Sequence, residues 1–246
     1  MAKQELVKQE AAGLPANIDF SADFGSGFED ADSSSYAIPF LRMLQVTSGQ
    51  CKKTDPGYVK GAEEGDFFNT VTEKLYKGDE GVIVIPCHYQ HKYNLWAPDR
   101  GGFRGSVTPA EYTSMRKIQG EKGELDENGN SIQDTREHYV LIVEADGTTS
   151  PALLALSGTQ MKKSKKWMTL MQGIRLSGQT APMFSQRYKL SAVGESNDKG
   201  SWAGIKIEHA GTVQNAEEYN SAKAFRDMVR SGAASAAPAD DLDLPY

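Results

Sequence analysis

The stretch Gly81-Val-Ile-Val-Ile-Pro-Cys-His-Tyr-Gln-His-Lys-Tyr-Asn-Leu-Trp96 constrains the fold more than any other, because it is the longest strand candidate in the chain. Read with period two, Ile83, Ile85, Cys87, Tyr89, His91, Tyr93 and Leu95 share one face. His88, Gln90, Lys92 and Asn94 then share the other. Pro86 has no N–H to give a ladder, so it marks an edge or a bulge. Other strands are expected around it. Ile38–Val46 is apolar enough for a buried strand. His138–Glu144 and Pro151–Leu156 flank an Asp146-Gly147 turn and read as a hairpin. Phe184–Val193 and Ser201–Glu208 read as a second hairpin with a longer loop.

Helices are marked by their ends. Thr108-Pro-Ala-Glu111 carries an N-cap Thr, Pro at N1 and Glu at N3. Asn215-Ala-Glu-Glu218 opens a helix to about Arg230, with Tyr219, Ala222, Phe225 and Val229 as its packing stripe. Residues 160–176 read as a third helix whose first turns are crowded with lysine. Cations at a helix N-terminus oppose its dipole, so these lysines point to a role other than helix stability. The expected architecture is mixed β with added helices, built on an OB-fold-like β-barrel core. The expected organisation is a flexible acidic N-terminal arm (1–35), one domain (36–231), and a linker with an acidic tip (232–246).

Charge is segregated along the chain. From Gly158 to Lys206 there are nine Lys/Arg against two acids, a balance of +7, in a chain whose formal net charge is −6. Residues 1–35 carry two Lys against seven acids (−5), and residues 207–246 three bases against seven acids (−4). A single-sign patch amid opposite charge is the sequence form of a polyanion-binding surface, and aromatics within it add base stacking. The candidate nucleic-acid-binding residues are Lys162, Lys163, Lys165, Lys166 and Trp167. To these are added Arg187, Tyr188, Lys189, Trp202 and Lys206 from the second hairpin. Trp96, Arg100, Phe103 and Arg104, at the end of the long strand and in the loop after it, complete the set.

The end of the chain supplies a resemblance. A small-residue linker, Ser231-Gly-Ala-Ala-Ser-Ala-Ala-Pro-Ala239, leads to Asp240-Asp-Leu-Asp-Leu-Pro-Tyr246. Asp240, Asp241, Asp243, Leu244, Pro245 and Tyr246 resemble the C-terminal tip of bacterial single-stranded DNA-binding proteins. Viral proteins of that kind also end in acidic tails with a terminal aromatic, and the chain has the general look of a phage replication protein. The resemblance implies a tip that docks replication or recombination enzymes. By charge, the same tip is suited to compete with DNA for the basic surface. Here Tyr stands where the bacterial tip has Phe, and Leu242 and Leu244 interrupt the acids.

Other chemistry is poorly represented. Cys87, His88 and His91 are metal-ligand types, but on one strand they do not converge, so neither a metal nor a cofactor is expected. No P-loop, Gly-x-Ser-x-Gly elbow or dinucleotide fingerprint occurs, and Glu63, Glu64 and Asp66 sit together in a turn-rich segment, so no enzyme is expected. No apolar run reaches the roughly 20 residues of a membrane span, and the N-terminus has no apolar signal region, which gives a cytoplasmic reading. Sequence-independent binding of single-stranded DNA is therefore the expectation, with a homo-oligomer as one possible form. The alternatives are a virion or host-interaction protein working through its acidic ends, and a strand-annealing recombination protein.

Overall fold

The computed structural model describes residues 26–27, 29–30, 37–98, 102–198 and 200–234. The expected N-terminal arm lies almost wholly outside the described residues, as do Arg100 and the acidic tip from Asp240 to Tyr246.

The long apolar stretch forms one strand, β4 (Val82–Trp96), preceded by a small sheet of β1 (Leu41–Met43), β2 (Phe67–Asn69) and β3 (Leu75–Tyr76). An excursion follows: β5 (Phe103–Val107), helix α1 (Pro109–Ser114), β6 (Ile118–Gly120) and β7 (Gly123–Leu125). The expected hairpin is β8 (Ser131–Val143) and β9 (Thr149–Ser157). Helix α2 (Met161–Gly173) comes next, then a short ribbon of β10 (Arg175–Leu176) and β11 (Gln179–Thr180). The second hairpin is β12 (Gln186–Asn197) and β13 (Gly200–Thr212), and α3 (Ala216–Arg230) closes the described chain.

The main sheet is antiparallel and runs β13-β12-β4-β8-β9, with β5 added beside the far end of β4 and β7 and β6 beside the start of β8. The β12–β13 turn is tighter than expected, with Asn197 opposite Gly200, so the loop read at 194–200 is mostly strand. Helix α1 carries the expected capping box, with Glu111 N–H donating to the Thr108 hydroxyl and Glu111 Oε2 accepting from Thr108 N–H.

Both faces of the sheet are covered at its near end. Val84, Val140, Ile142, Leu154, Tyr188 and Ile205 pack with Trp167 and Met171 of α2 and with Leu41 and Phe67 of the small sheet. Ile85, Tyr139, Leu141 and Leu153 pack with Ala222, Phe225 and Val229 of α3. Each large apolar side chain so buried stabilises the fold by about 1.5–3 kcal/mol. That is ample to hold α2, whose N-terminus has no side-chain cap and no acid in its first turn.

Pro86 does mark a bulge, and the bulge changes the face assignment. Pro86 lies opposite Val140 and His88 opposite Tyr139, leaving Cys87 as the extra residue. The alternation therefore reverses after Cys87. Tyr89 meets His138 on the α2 side, whereas His88 meets Tyr139 on the α3 side. The uninterrupted period-two reading, which put Cys87, Tyr89 and His91 on one face, is corrected. Cys87 and His88 go with α3, and His91 turns to the other face, where its Nε2 lies 2.8 Å from Asp134.

The sheet does not close into a barrel by strand pairing. Between β9 and β13 the gap is spanned otherwise. Leu153 N–H donates to the Pro39 carbonyl (2.8 Å), which ties the segment before β1 to β9. On the opposite side the Gln45 amide donates to the Ala203 carbonyl (3.0 Å) and accepts from Ala203 N–H (3.1 Å). Gln160 Oε1 accepts from Ile205 N–H at 3.2 Å. Two side-chain amides thus take the place of a neighbouring strand on the edge of β13, and blunt an edge that could otherwise pair with another chain.

The described chain continues packed for a few residues past α3. Ala234, within the segment read as linker, is buried with the α3 cluster.

Candidate functional site

A groove of about 1040 Å³ crosses the sheet face beyond the end of α3. The bulge makes it. After Cys87, the side chains of Gln90, Lys92, Asn94 and Trp96 stand on the α3 side, opposite Glu137, Thr135, Gln133 and Ser131 of β8. Ala155 and Ser157 of β9 continue the floor, and Phe103 and Arg104 of β5 stand at one end. Met43, Gln45 and Gln160 bring it to the seam beside β13, and Gly232 and Ala234 line it where the described chain stops.

Aromatic surface is concentrated at the β5 end. Trp96 and Phe103 meet edge to face at 5.5 Å, and Phe103 is 37 % exposed. Trp96 Nε1 donates to Gln133 Oε1 (3.0 Å), which fixes the indole while leaving the ring half-exposed. Arg104 is exposed beside them. The floor itself is close to neutral, because Lys92 Nζ lies 3.0 Å from Glu137 Oε2.

The lysines of α2 lie on its solvent face. Ser164, Trp167 and Met171 are buried at helical spacing, which turns Lys162, Lys165 and Lys166 to water. No carboxylate among the described residues pairs with these three. Lys163 differs: it is ion-paired with Glu195, which also accepts from Trp202 Nε1 at 3.2 Å. Glu195 lies flat across Gly204, where a Cβ would stand only 2.4 Å from its Oε2. Trp202 therefore sits in a shallower hollow beside Glu64 and Glu195, surroundings unsuited to phosphate.

Three expected contacts are corrected outright. Trp167 is fully buried, stacked on His138 at 4.6 Å and edge-on to Tyr188 at 5.5 Å, so it presents no ring face to a base. Tyr188 is also fully buried, because β12 turns it into the same core. Arg187 is buried under α3 and ion-paired with Glu218, its Nε donating to Oε2 at 3.1 Å. The remaining hairpin residues do not gather into one surface. Lys189 is half-buried with its stem against Gly81, and Lys206 is exposed but paired with Glu208 at 2.8 Å. Of the residues chosen from sequence, the structure brings together Trp96, Phe103 and Arg104. The groove residues Gln90, Lys92 and Asn94 were not chosen, although their alternation on the polar side of the long strand was visible.

The core under α2 has its own titration. Burial pushes the His138 imidazole down to about 3, and its Nε2 lies 2.7 Å from the Ser164 hydroxyl. In the unfolded chain a histidine takes its proton near the ordinary value of about 6.5. Between those values the unfolded chain holds a proton that the native protein does not, so stability is complete above about 6.5 and declines as pH falls towards 3. The urea midpoint is expected to drop as pH is lowered from 7 to 4. In His138→Gln that part of the profile should flatten, and an unchanged slope would show that other groups carry it.

The fold and groove define a mixed-β protein with three α-helices among its described residues and an open cleft, aromatic at one end, across its main sheet. The comparisons narrow this further. Residues 7–235 match the Pam3 phage gp34-like protein family, and the chain belongs to that family, a family of phage proteins. No curated protein and no solved structure matches the chain. Among the described residues no helix is long and apolar enough to cross a membrane, and no group of three His, Cys, Asp or Glu side chains is placed to hold a metal ion.

Proposed function

We propose that this phage protein binds single-stranded DNA in the groove across β4, β8 and β9, without catalysing a reaction. The observation that carries the reading is the pairing of Trp96 and Phe103 with Arg104 at the end of a cleft whose floor carries Gln90, Lys92, Asn94 and Gln133 and whose seam and rear walls are largely apolar. Aromatic faces stack any base and cations neutralise phosphates, which together give sequence-tolerant single-strand binding. The exposed Lys162, Lys165 and Lys166 follow Gln160, itself a groove residue at the seam, and would supply phosphate contacts to a strand that passes over that seam onto α2. The strand order adds support. β4, β8 and β9 pair in that order despite the excursion between β4 and β8, α2 follows, and the β12–β13 hairpin returns to β4, an order in keeping with an OB-like arrangement left open between β9 and β13. OB-folds bind oligonucleotides across the corresponding strand face.

The acidic tip, Asp240–Tyr246, is proposed to compete with DNA for these cations and to dock replication or recombination enzymes when displaced. The chain leaves its described part at Ala234, on the wall of the groove.

One titration series tests both statements, using a fluorescent oligo-dT strand, a duplex control and a range of salt. Binding to oligo-dT over duplex should weaken steeply with salt. The slope of log K against log salt should be about 2 smaller in a Lys162/Lys165/Lys166→Glu variant, at about 0.7 for each phosphate no longer neutralised. Deleting residues 237–246 should tighten binding at low salt. Absence of binding at low salt by both full-length and tail-deleted protein would overturn the reading in favour of a virion or host-interaction protein. Unchanged affinity after deletion would remove the tail from it.

A further inference from the structure

The floor of the groove differs from its aromatic end. Besides the hydroxyls of Thr135 and Ser157 it carries three primary amides, Gln90 and Asn94 on β4 and Gln133 on β8, set around the neutral Lys92–Glu137 pair. Gln133 is committed, accepting from Trp96 Nε1 and donating to the Ser157 hydroxyl at 3.2 Å. Gln90 Oε1 receives a long contact of 3.5 Å from the Tyr139 hydroxyl. Asn94 Oδ1 is covered and accepts no hydrogen bond among the described residues. An acceptor withdrawn from water without a donor is a cost, and a ligand that displaces its cover and donates to it removes that cost.

We infer that this floor binds the Watson–Crick edges of unpaired bases through primary amides, with Asn94 as the principal contact. The inference rests on the proposed single-strand binding and specifies what faces the floor. A phosphate is a poor occupant there, since Lys92 is already neutralised and the Glu137 carboxylate repels an anion. A base edge is a good one. A primary amide presents a donor and an acceptor side by side. Thymine, adenine, cytosine and guanine each carry an adjacent donor and acceptor on the Watson–Crick edge, so one amide can match any of the four. In a duplex those edges are occupied by the partner strand. The floor thereby selects single strands over duplex while reading no sequence, and Arg104 at the cleft end is left for the backbone.

The test uses oligo-dT and the same strand built from N3-methylthymidine, which keeps phosphates and stacking surface but loses the N3–H donor. Wild-type protein should bind the methylated strand about fivefold or more weakly, the loss of one hydrogen bond that leaves its acceptor unmet. In Asn94→Leu the two strands should bind within about twofold of each other, at the same salt slope. Equal wild-type affinity for the two strands, with oligo-dT bound tightly, would overturn edge recognition and leave single-strand binding standing. A methylation effect of full size in Asn94→Leu would overturn the assignment to Asn94. Failure to bind either strand would overturn single-strand binding itself. The wild-type comparison holds even if Asn94→Leu does not fold.

Discussion

Trp167→Ala should unfold the protein at markedly lower temperature, with a loss of about 3–5 kcal/mol, the usual cost of emptying a buried tryptophan site. At about 2–4 °C per kcal/mol for a domain of this size, the melting midpoint should fall by about 6–20 °C. The reason is its position. Trp167 is fully buried between His138 and Tyr188, and it anchors a helix whose own N-terminal charges oppose its formation. Trp167→Phe should keep most of the packing, and it also removes an indole N–H that has no hydrogen-bond partner in the described structure. Calorimetry of the two variants is the check. A Trp167→Ala protein that melts like the wild type but loses DNA binding would place this ring on the surface and refute the core assignment.

The second large effect is expected in binding. Trp96→Ala combined with Phe103→Ala should weaken oligo-dT binding by about 100-fold, since each stacked base is worth about 1–3 kcal/mol. The two rings touch at 5.5 Å, so the double change should differ from the sum of the single ones. The salt slope should stay at its wild-type value, because no cation is removed. Stability should change little by comparison, as Phe103 is exposed and Trp96 is only half-buried. Fluorescence titration with a parallel melting curve separates the outcomes. Wild-type affinity in the double variant would show that DNA does not use this end of the groove.

These two experiments divide the aromatic residues that looked alike in sequence. Trp96, Phe103, Trp167, Tyr188 and Trp202 each lie near Lys or Arg in the chain. Nearness in sequence does not say which side of a helix or strand a ring occupies. Trp167 is in phase with Ser164 and Met171 and turns inward, while Lys162 and Lys166, also close in sequence, turn outward. Tyr188 and Arg187 are adjacent on one strand, and both are buried, one in each layer of the core. The helical period would have separated Trp167 from the lysines. The burial of Arg187 required knowing that α3 returns to cover that face with Glu218.

Much of the local structure was determined by the sequence itself. The capping residues Thr108 and Asn215 start the helices that they were expected to start, because their side chains satisfy N–H groups a few residues away. The long strand, both hairpins and the lysine-bearing helix follow from patterns only a few residues long. Tertiary structure decided three things, the first of them a choice between the edge and the bulge that Pro86 left open. The one-residue bulge at Cys87 reversed the face of everything after it on β4, since a single slip exchanges the two sides of a strand. The seam between β9 and β13 is spanned by Gln45 and Gln160, residues separated by more than a hundred positions in the chain. The groove arises where α3 stops short of the far half of β4 and β8, leaving amides and aromatics uncovered. Period and capping act over a few residues and are written in the chain, whereas coverage depends on which distant element packs where.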